Sequence, residues 1–238
     1  MAPHLRPLRT PTILFAHRGA RAHAPENTLE AFALAIRLGA TGLESDVWLT
    51  ADGEPVLDHD GVVGRSLRRR RIAEVDATAL PAHIPTLADL FEQCGTDLPI
   101  SLDVKDPAAV DAVLAVARDA GAVDRLWLCH PDHRQVARWR QLDPDVHLID
   151  STRLRHLREG PERRAAVLRE AGIDGINLHH SDWNGGLTTL FHRFGRVAWG
   201  WDAQHDRVIA ELLRIGVDGL FSDHCDRMVE VAARRRPA

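Results

Sequence analysis

The sequence has no tyrosine, and of its 30 lysines and arginines a single residue, Lys105, is lysine, leaving 29 arginines. A chain so averse to lysine makes that one position notable, because a compact ammonium does what a planar guanidinium cannot. Cysteine is also scarce. Cys94, Cys129 and Cys225 are odd in number and lack Cys-x-x-Cys spacing, which argues against a disulfide framework or a thiolate zinc site and fits a reducing, cytoplasmic compartment. Long apolar runs are missing too. Met1 to Thr10 carries Arg6 and Arg9, but the stretch that follows, Ile13 to Ala16, is too short for a signal-peptide core or a membrane span, so no stable membrane insertion is expected. Nor is positive charge in excess: a net charge of −4 argues against nucleic acid as a partner bound through bulk charge. There is no domain linker and no low-complexity segment, so residues 1–238 are expected to form a single domain.

What is present is an alternation of short apolar strands with amphipathic helices. Strands are expected at Ile13–Ala16, Leu43–Leu49, Leu98–Val104, Leu126–Cys129, Val146–Asp150, Gly175–Leu178, Val197–Trp201 and Gly219–Phe221. Helices fall between them: one capped by Asn27 or Thr28 with Glu30 at capping-box spacing, then Thr86–Cys94, Pro107–Ala120, Asp132–Gln141, Pro161–Ala171, Gly186–Phe194 and Asp206–Ile215. Such alternation implies parallel strands covered by helices. No Gly-x-Gly-x-x-Gly follows the first strand, which disfavours a doubly wound open sheet. The expected fold is therefore α/β, a TIM (β/α)8 barrel. A ninth strand candidate, the returning arm Pro55 to Asp60, becomes an accessory. Gly61 to Pro85, with the run Arg68 to Arg71, reads as a short irregular insertion after His59, and Arg234 to Arg236 as a frayed tail.

Gly42 to Asp60 organises the rest. Residues two apart on a strand share a face, so Glu44 and Asp46 point the same way. A turn centred on Asp52-Gly53 would set His59 opposite Asp46. In a barrel, active-site residues gather at the C-terminal ends of the strands. His17 and Arg18 follow the first strand there, Asp103 and Lys105 close the third, and Trp199 and Trp201 repeat the two-residue spacing on a late one. Carboxylates that hold a hard divalent cation, a cationic pair for an anion and two histidines for proton transfer suit phosphodiester chemistry.

The chain resembles the glycerophosphodiester phosphodiesterase family, whose fold is a phospholipase-C-like phosphodiesterase barrel. The motifs that carry the likeness are Ala16-His17-Arg18-Gly19, Pro25-Glu26-Asn27-Thr28, Glu44-x-Asp46-Val47, Leu49-Thr50-x-Asp52-Gly53 and His59-Asp60. Further along come Ile84-Pro85-Thr86-Leu87, Asp103-Val104-Lys105, Trp199, and Gly216-Val217-Asp218-Gly219 with Asp223. The resemblance implies hydrolysis of a small-molecule glycerophosphodiester to sn-glycerol 3-phosphate and an alcohol, through a cyclic phosphate formed by the 2-hydroxyl of the glycerol. It implies His17 and His59 as the acid–base pair, and Glu44 and Asp46, with Asp103, as ligands of Mg2+ or Ca2+. Arg18, Lys105 and Trp199 are then implied to bind substrate.

Three departures stand out. The family has glutamate where this chain has Asp103, a longer insertion after His59-Asp60, and Trp-Thr-Val-Asn where this chain reads Trp199-Gly200-Trp201-Asp202. The competing readings are a lysophospholipase-D-like or sphingomyelinase-D-like lipid enzyme on the same barrel, and a barrel that binds phosphodiesters without turnover. His179 and His180 are further candidates for the mouth.

Overall fold

The computed structural model describes residues 5–64 and 69–234. In chain order the first elements are β1 (Ile13–Ala16), α1 (Leu29–Arg37), β2 (Gly42–Leu49), β3 (Pro55–Leu57), β4 (Val62–Val63), β5 (Arg70–Arg71) and α2 (Leu87–Cys94). Then come β6 (Ile100–Val104), α3 (Val110–Asp119), β7 (Leu126–His130), α4 (His133–Trp139), β8 (His147–Ser151) and α5 (Pro161–Glu170). The chain continues through β9 (Gly175–His179), α6 (Gly185–Arg193), β10 (Val197–Trp201), α7 (Asp206–Arg214), β11 (Gly219–Ser222) and α8 (Cys225–Ala233). Eight strands, β1, β2 and β6 to β11, pair in parallel in that order. β1 bonds to both β11 and β2, so the sheet closes on itself. This is the expected TIM barrel. β3 is the accessory arm, antiparallel to β2.

Alternation along the strands divides the apolar residues into two cores. Ile13, Phe15, Trp127, Cys129, Ile149, Val197, Trp199 and Phe221 point inward and fill the barrel. Their neighbours in sequence, Leu14, Leu128, Leu148, Ala198 and Leu220, point outward under the helices. Moving two residues further along several inward series replaces hydrocarbon by polar groups: His17 after Phe15, Ser151 after Ile149, Asp223 after Phe221. The barrel interior is thus apolar below and polar at its C-terminal mouth.

Local signals explain most of the helices. Thr28 caps α1 by accepting a hydrogen bond from the Ala31 amide, Thr86 and Asp89 form a reciprocal capping box at α2, and Pro161 opens α5. Asn27 does not cap α1. It adopts a left-handed φ of 54° and turns its amide into the protein, beneath the mouth.

Three expectations are corrected. The β2–β3 register pairs Val47 with Leu57, and the Asp58 amide donates to the Asp46 carbonyl at 3.1 Å, so Asp58 and not His59 faces Asp46. The turn is one residue shorter in effect than a centre on Asp52-Gly53 assumes, because Thr50 closes it, its amide donating to the Glu54 carbonyl. The insertion is more ordered than expected: β4 and β5 form an antiparallel ribbon, followed by 3-10 turns at 72–74 and 77–79, and Ile72 and Val75 are buried. Gly61, where a Cβ would collide with the Trp48 ring, lets the chain leave the hairpin close to its surface. Arg69 to Arg71 are exposed, while Arg68 lies outside the described residues. Finally, α8 was not anticipated; Cys225, Met228 and Val231 bury its inner face, and Arg235 and Arg236 lie outside the described residues. Among the described residues no helix is long and apolar enough to cross a membrane.

Candidate active site

The C-terminal mouth of the barrel opens into a cavity of about 440 Å³. Of the residues singled out from sequence, His17, Arg18, Glu44, Asp46, Asp103 and Lys105 all line it. They come from the ends of β1, β2 and β6, three neighbouring strands whose register sets Asp46 beside Asp103.

The carboxylates are crowded. Glu44 and Asp46 are buried on the inward face of β2, at 7% and 2% exposure. Burial pushes the Glu44 carboxyl up to about 7; His17 pulls it part of the way back, and the Asp46 charge adds to the rise. Glu44 Oε2 accepts the Arg18 amide at 2.9 Å. Lys105 Nζ bridges Asp46 Oδ1, at 3.0 Å, and Asp103 Oδ2. Against the downward push of burial, the Asp103 and Asp46 charges hold this ammonium well above its ordinary value.

Arg18 has a left-handed φ of 53°, which turns its side chain across the mouth. Its Nη1 bonds Glu26 Oε1 at 3.1 Å. Its Nε lies 3.2 Å from Asp46 Oδ2 without hydrogen-bond alignment, which leaves a buried donor with no partner. Asn27 supports the same carboxylate from below, its Nδ2 donating to Asp46 Oδ2 at 3.3 Å while its Oδ1 accepts from Ser45 at 2.8 Å.

His17 stands between two acids. Its Nδ1 is 2.6 Å from Asp223 Oδ1 and its Nε2 3.9 Å from Glu44 Oε2. Burial lowers its affinity for a proton, but Glu44 and Asp223 outweigh that and raise it. Asp223 responds in kind: burial pushes its carboxyl up, and the hydrogen bond and charge of His17 hold it below the ordinary value. Burial also pushes the Cys129 thiol far up, so this cavity residue stays a neutral thiol hydrogen-bonded to Ser101.

Four residues singled out from sequence do not line the cavity: His59, Trp199, His179 and His180. His59 is half-buried just past the returning arm, its Nδ1 2.9 Å from Asp60 Oδ1, and does not line the cavity. Trp199 is fully buried in the barrel core against Phe15, Trp127 and Phe221. Trp201, one layer nearer the mouth on the same strand face, lines the cavity in its place, with the Arg153 guanidinium 5.5 Å from its ring. Sequence reasoning assigned no role to Asp223, Arg153 or Asn177, all of which line the cavity. Asn177 is buried, and its Oδ1 has no partner. The inward spacing from Phe221 and Ile149 was the signal available for Asp223 and the β8 end.

The donor chemistry suits a divalent cation: three carboxylates, Glu44, Asp46 and Asp103, line the cavity, and one of them, Glu44, retains its proton at unusually high pH. The architecture is a TIM barrel with its polar residues gathered at the C-terminal mouth. Residues 17–227 match the model of the glycerophosphoryl diester phosphodiesterase family, and the chain belongs to that family. It is 23% identical over 250 residues to a glycerophosphodiester phosphodiesterase of Caldanaerobacter subterraneus subsp. tengcongensis, covering 94% of this chain and 98% of the relative. Solved structures share the fold, two of them phosphodiesterases. The glycerophosphodiester phosphodiesterase of Thermotoga maritima superposes with a TM-score of 0.80 at 24% identity over 94% of this chain and 99% of that one. A phosphodiesterase of Oleispira antarctica, solved with its product sn-glycerol-3-phosphate, gives 0.81 at 20% identity over 93% and 96%.

Proposed function

We propose that this chain, as a single barrel domain, hydrolyses glycerophosphodiesters to sn-glycerol 3-phosphate and an alcohol with the aid of Mg2+ or Ca2+. The observation that carries the reading is the meeting of His17, Arg18, Glu44, Asp46, Asp103 and Lys105 around one cavity. Family membership and the product found in the Oleispira antarctica relative support it.

Glu44 and Asp46 hold the cation, with Asp103 beside them; all-oxygen ligation suits a hard ion. When bound, that ion supplies charge to the phosphate oxygens and favours ionisation of the attacking hydroxyl. Arg18 and Lys105 bind the phosphate. Arg18 Nε, 3.2 Å from Asp46 Oδ2, makes no aligned hydrogen bond and can donate to a phosphate oxygen, and Lys105 places an ammonium between Asp46 and Asp103 at the cavity wall. Asn177 offers its unpartnered Oδ1 to a glycerol hydroxyl, and Trp201 rather than Trp199 packs on the substrate. His17 exchanges the proton at its Nε2, while Asp223 fixes the ring through Nδ1. Asp223 is thus a positioning residue. His59 serves as the second acid–base group from the rim, one residue beyond Asp58, whose amide holds the Asp46 carbonyl.

Product analysis tests the reaction class. Glycerophosphocholine incubated with the chain and Mg2+ or Ca2+ should yield sn-glycerol 3-phosphate and choline. Phosphocholine with glycerol, or intact substrate, would overturn the assignment.

A further inference from the structure

At the opposite wall of the mouth, the pairing of β9 with β10 assembles a second group of ligands. Trp201 is in register with His179, so the next residues along, Asp202 and His180, emerge side by side. The two imidazole rings are 4.3 Å apart between centroids, and His179 Nε2 is 3.1 Å from Asp202 Oδ2. One donor atom from each of His179, His180 and Asp202 lies within 4.8 Å of the others.

We propose that His179, His180 and Asp202 form a second metal site, selective for a borderline transition cation such as Zn2+ or Co2+, separate from the all-carboxylate site. Two imidazoles and one carboxylate are the donor set such ions prefer, whereas Mg2+ and Ca2+ take oxygen. Bonds of roughly 2.0–2.2 Å place the donors of one ion roughly 3–3.5 Å apart, so modest side-chain rotation from the observed spacing closes the site.

The surroundings are built for ligation. Asp202 adopts a left-handed φ of 63°, a conformation Asp tolerates better than most residues, and Gln204 Nε2 donates to its Oδ1 at 3.3 Å, which leaves Oδ2 toward the histidines. His179 Nδ1 accepts the Ser181 amide at 3.2 Å and lies 2.7 Å from Ser181 Oγ, which holds the ring at the start of the 180–182 turn. Asp202 itself lines the cavity, so an open coordination position would face the substrate space. A second triad, His23, His224 and Asp226, is weaker: its two rings are 6.3 Å apart, and His23 and Asp226 are exposed.

Titration of the full-length chain with Co2+ in excess Mg2+, followed by visible absorption and repeated with Zn2+ by calorimetry, tests the site. One equivalent should bind to the wild type and to Glu44→Gln and His23→Ala alike. His180→Ala and Asp202→Asn should each weaken that binding by at least about tenfold. Failure of Co2+ and Zn2+ to bind in the presence of Mg2+ would overturn the proposal. So would binding untouched by His180→Ala and Asp202→Asn, or binding lost in Glu44→Gln or His23→Ala.

Discussion

Lys105 and His17 show how single residues are tuned by what faces them. Lys105 is half-buried between Asp46 and Asp103, a gap that accepts a compact ammonium. Arginine would place a wider planar fork there. Lys105→Arg is therefore expected to lose much of its activity on glycerophosphodiesters and Lys105→Ala more, with thermal stability little changed; steady-state kinetics and a melting curve check this. His17→Ala should lower turnover by roughly 10²–10⁴-fold, the usual yield of general acid–base catalysis. Asp223→Asn should lower it less while displacing the acidic limb of the pH–rate profile, because Asn keeps a hydrogen-bonding group but not the charge that raises His17. Glu44 makes a prediction about stability. Its carboxyl titrates at about 7 when folded, against 4.5 for the ordinary group, so the stability it contributes is full below pH 4.5 and is lost as pH rises through about 7. In chelator, Glu44→Gln should consequently melt several degrees above wild type at pH 8, and the gap should close at pH 5.

At the scale of elements, strands and helices were legible because period-two and period-three-to-four patterns survive in short segments. Each barrel strand was recognised within a few residues, and the inward polar ends of β1, β2 and β6 pointed to the mouth. The β2–β3 register was not legible, since one residue in a turn shifts every partner by one and exchanges His59 for Asp58. Trp199 and Trp201 share a face, and only the layering of the barrel separates the one in the core from the one at the mouth. The inner face of α8 was obscured by its charged sequence. A different link fixes α5 on β8. Arg164 Nη1 bonds Asp150 Oδ2 at 2.6 Å, and its Nε bonds Glu159 at 2.6 Å. Burial pushes the Asp150 carboxyl up to about 6 even with Arg164 beside it. Arg164→Ala, which strands Asp150 without its partner, should cost about 3–5 kcal/mol of stability by denaturant unfolding. A cost under 1 kcal/mol would show that the pair does not anchor the helix.

On the scale of the whole molecule, the site depends on closure of the barrel. His17 and Asp223 are 206 residues apart in sequence yet 2.6 Å apart in space, because β1 pairs with β11. No local pattern could announce that contact, whereas Glu44 and Asp46 lie on one strand and could be read directly. In the proposed reaction, Glu44 and Asp46 at this mouth hold a divalent cation on which turnover depends. The most direct measurement of that dependence is the rate of glycerol 3-phosphate release from glycerophosphocholine in chelator, then after adding back Mg2+ or Ca2+, for wild type, Glu44→Gln and Asp46→Asn. The wild type should fall to background in chelator and recover on add-back, while both folded variants stay near background throughout. A wild-type rate that is the same with and without chelator would mean that no divalent cation takes part in turnover.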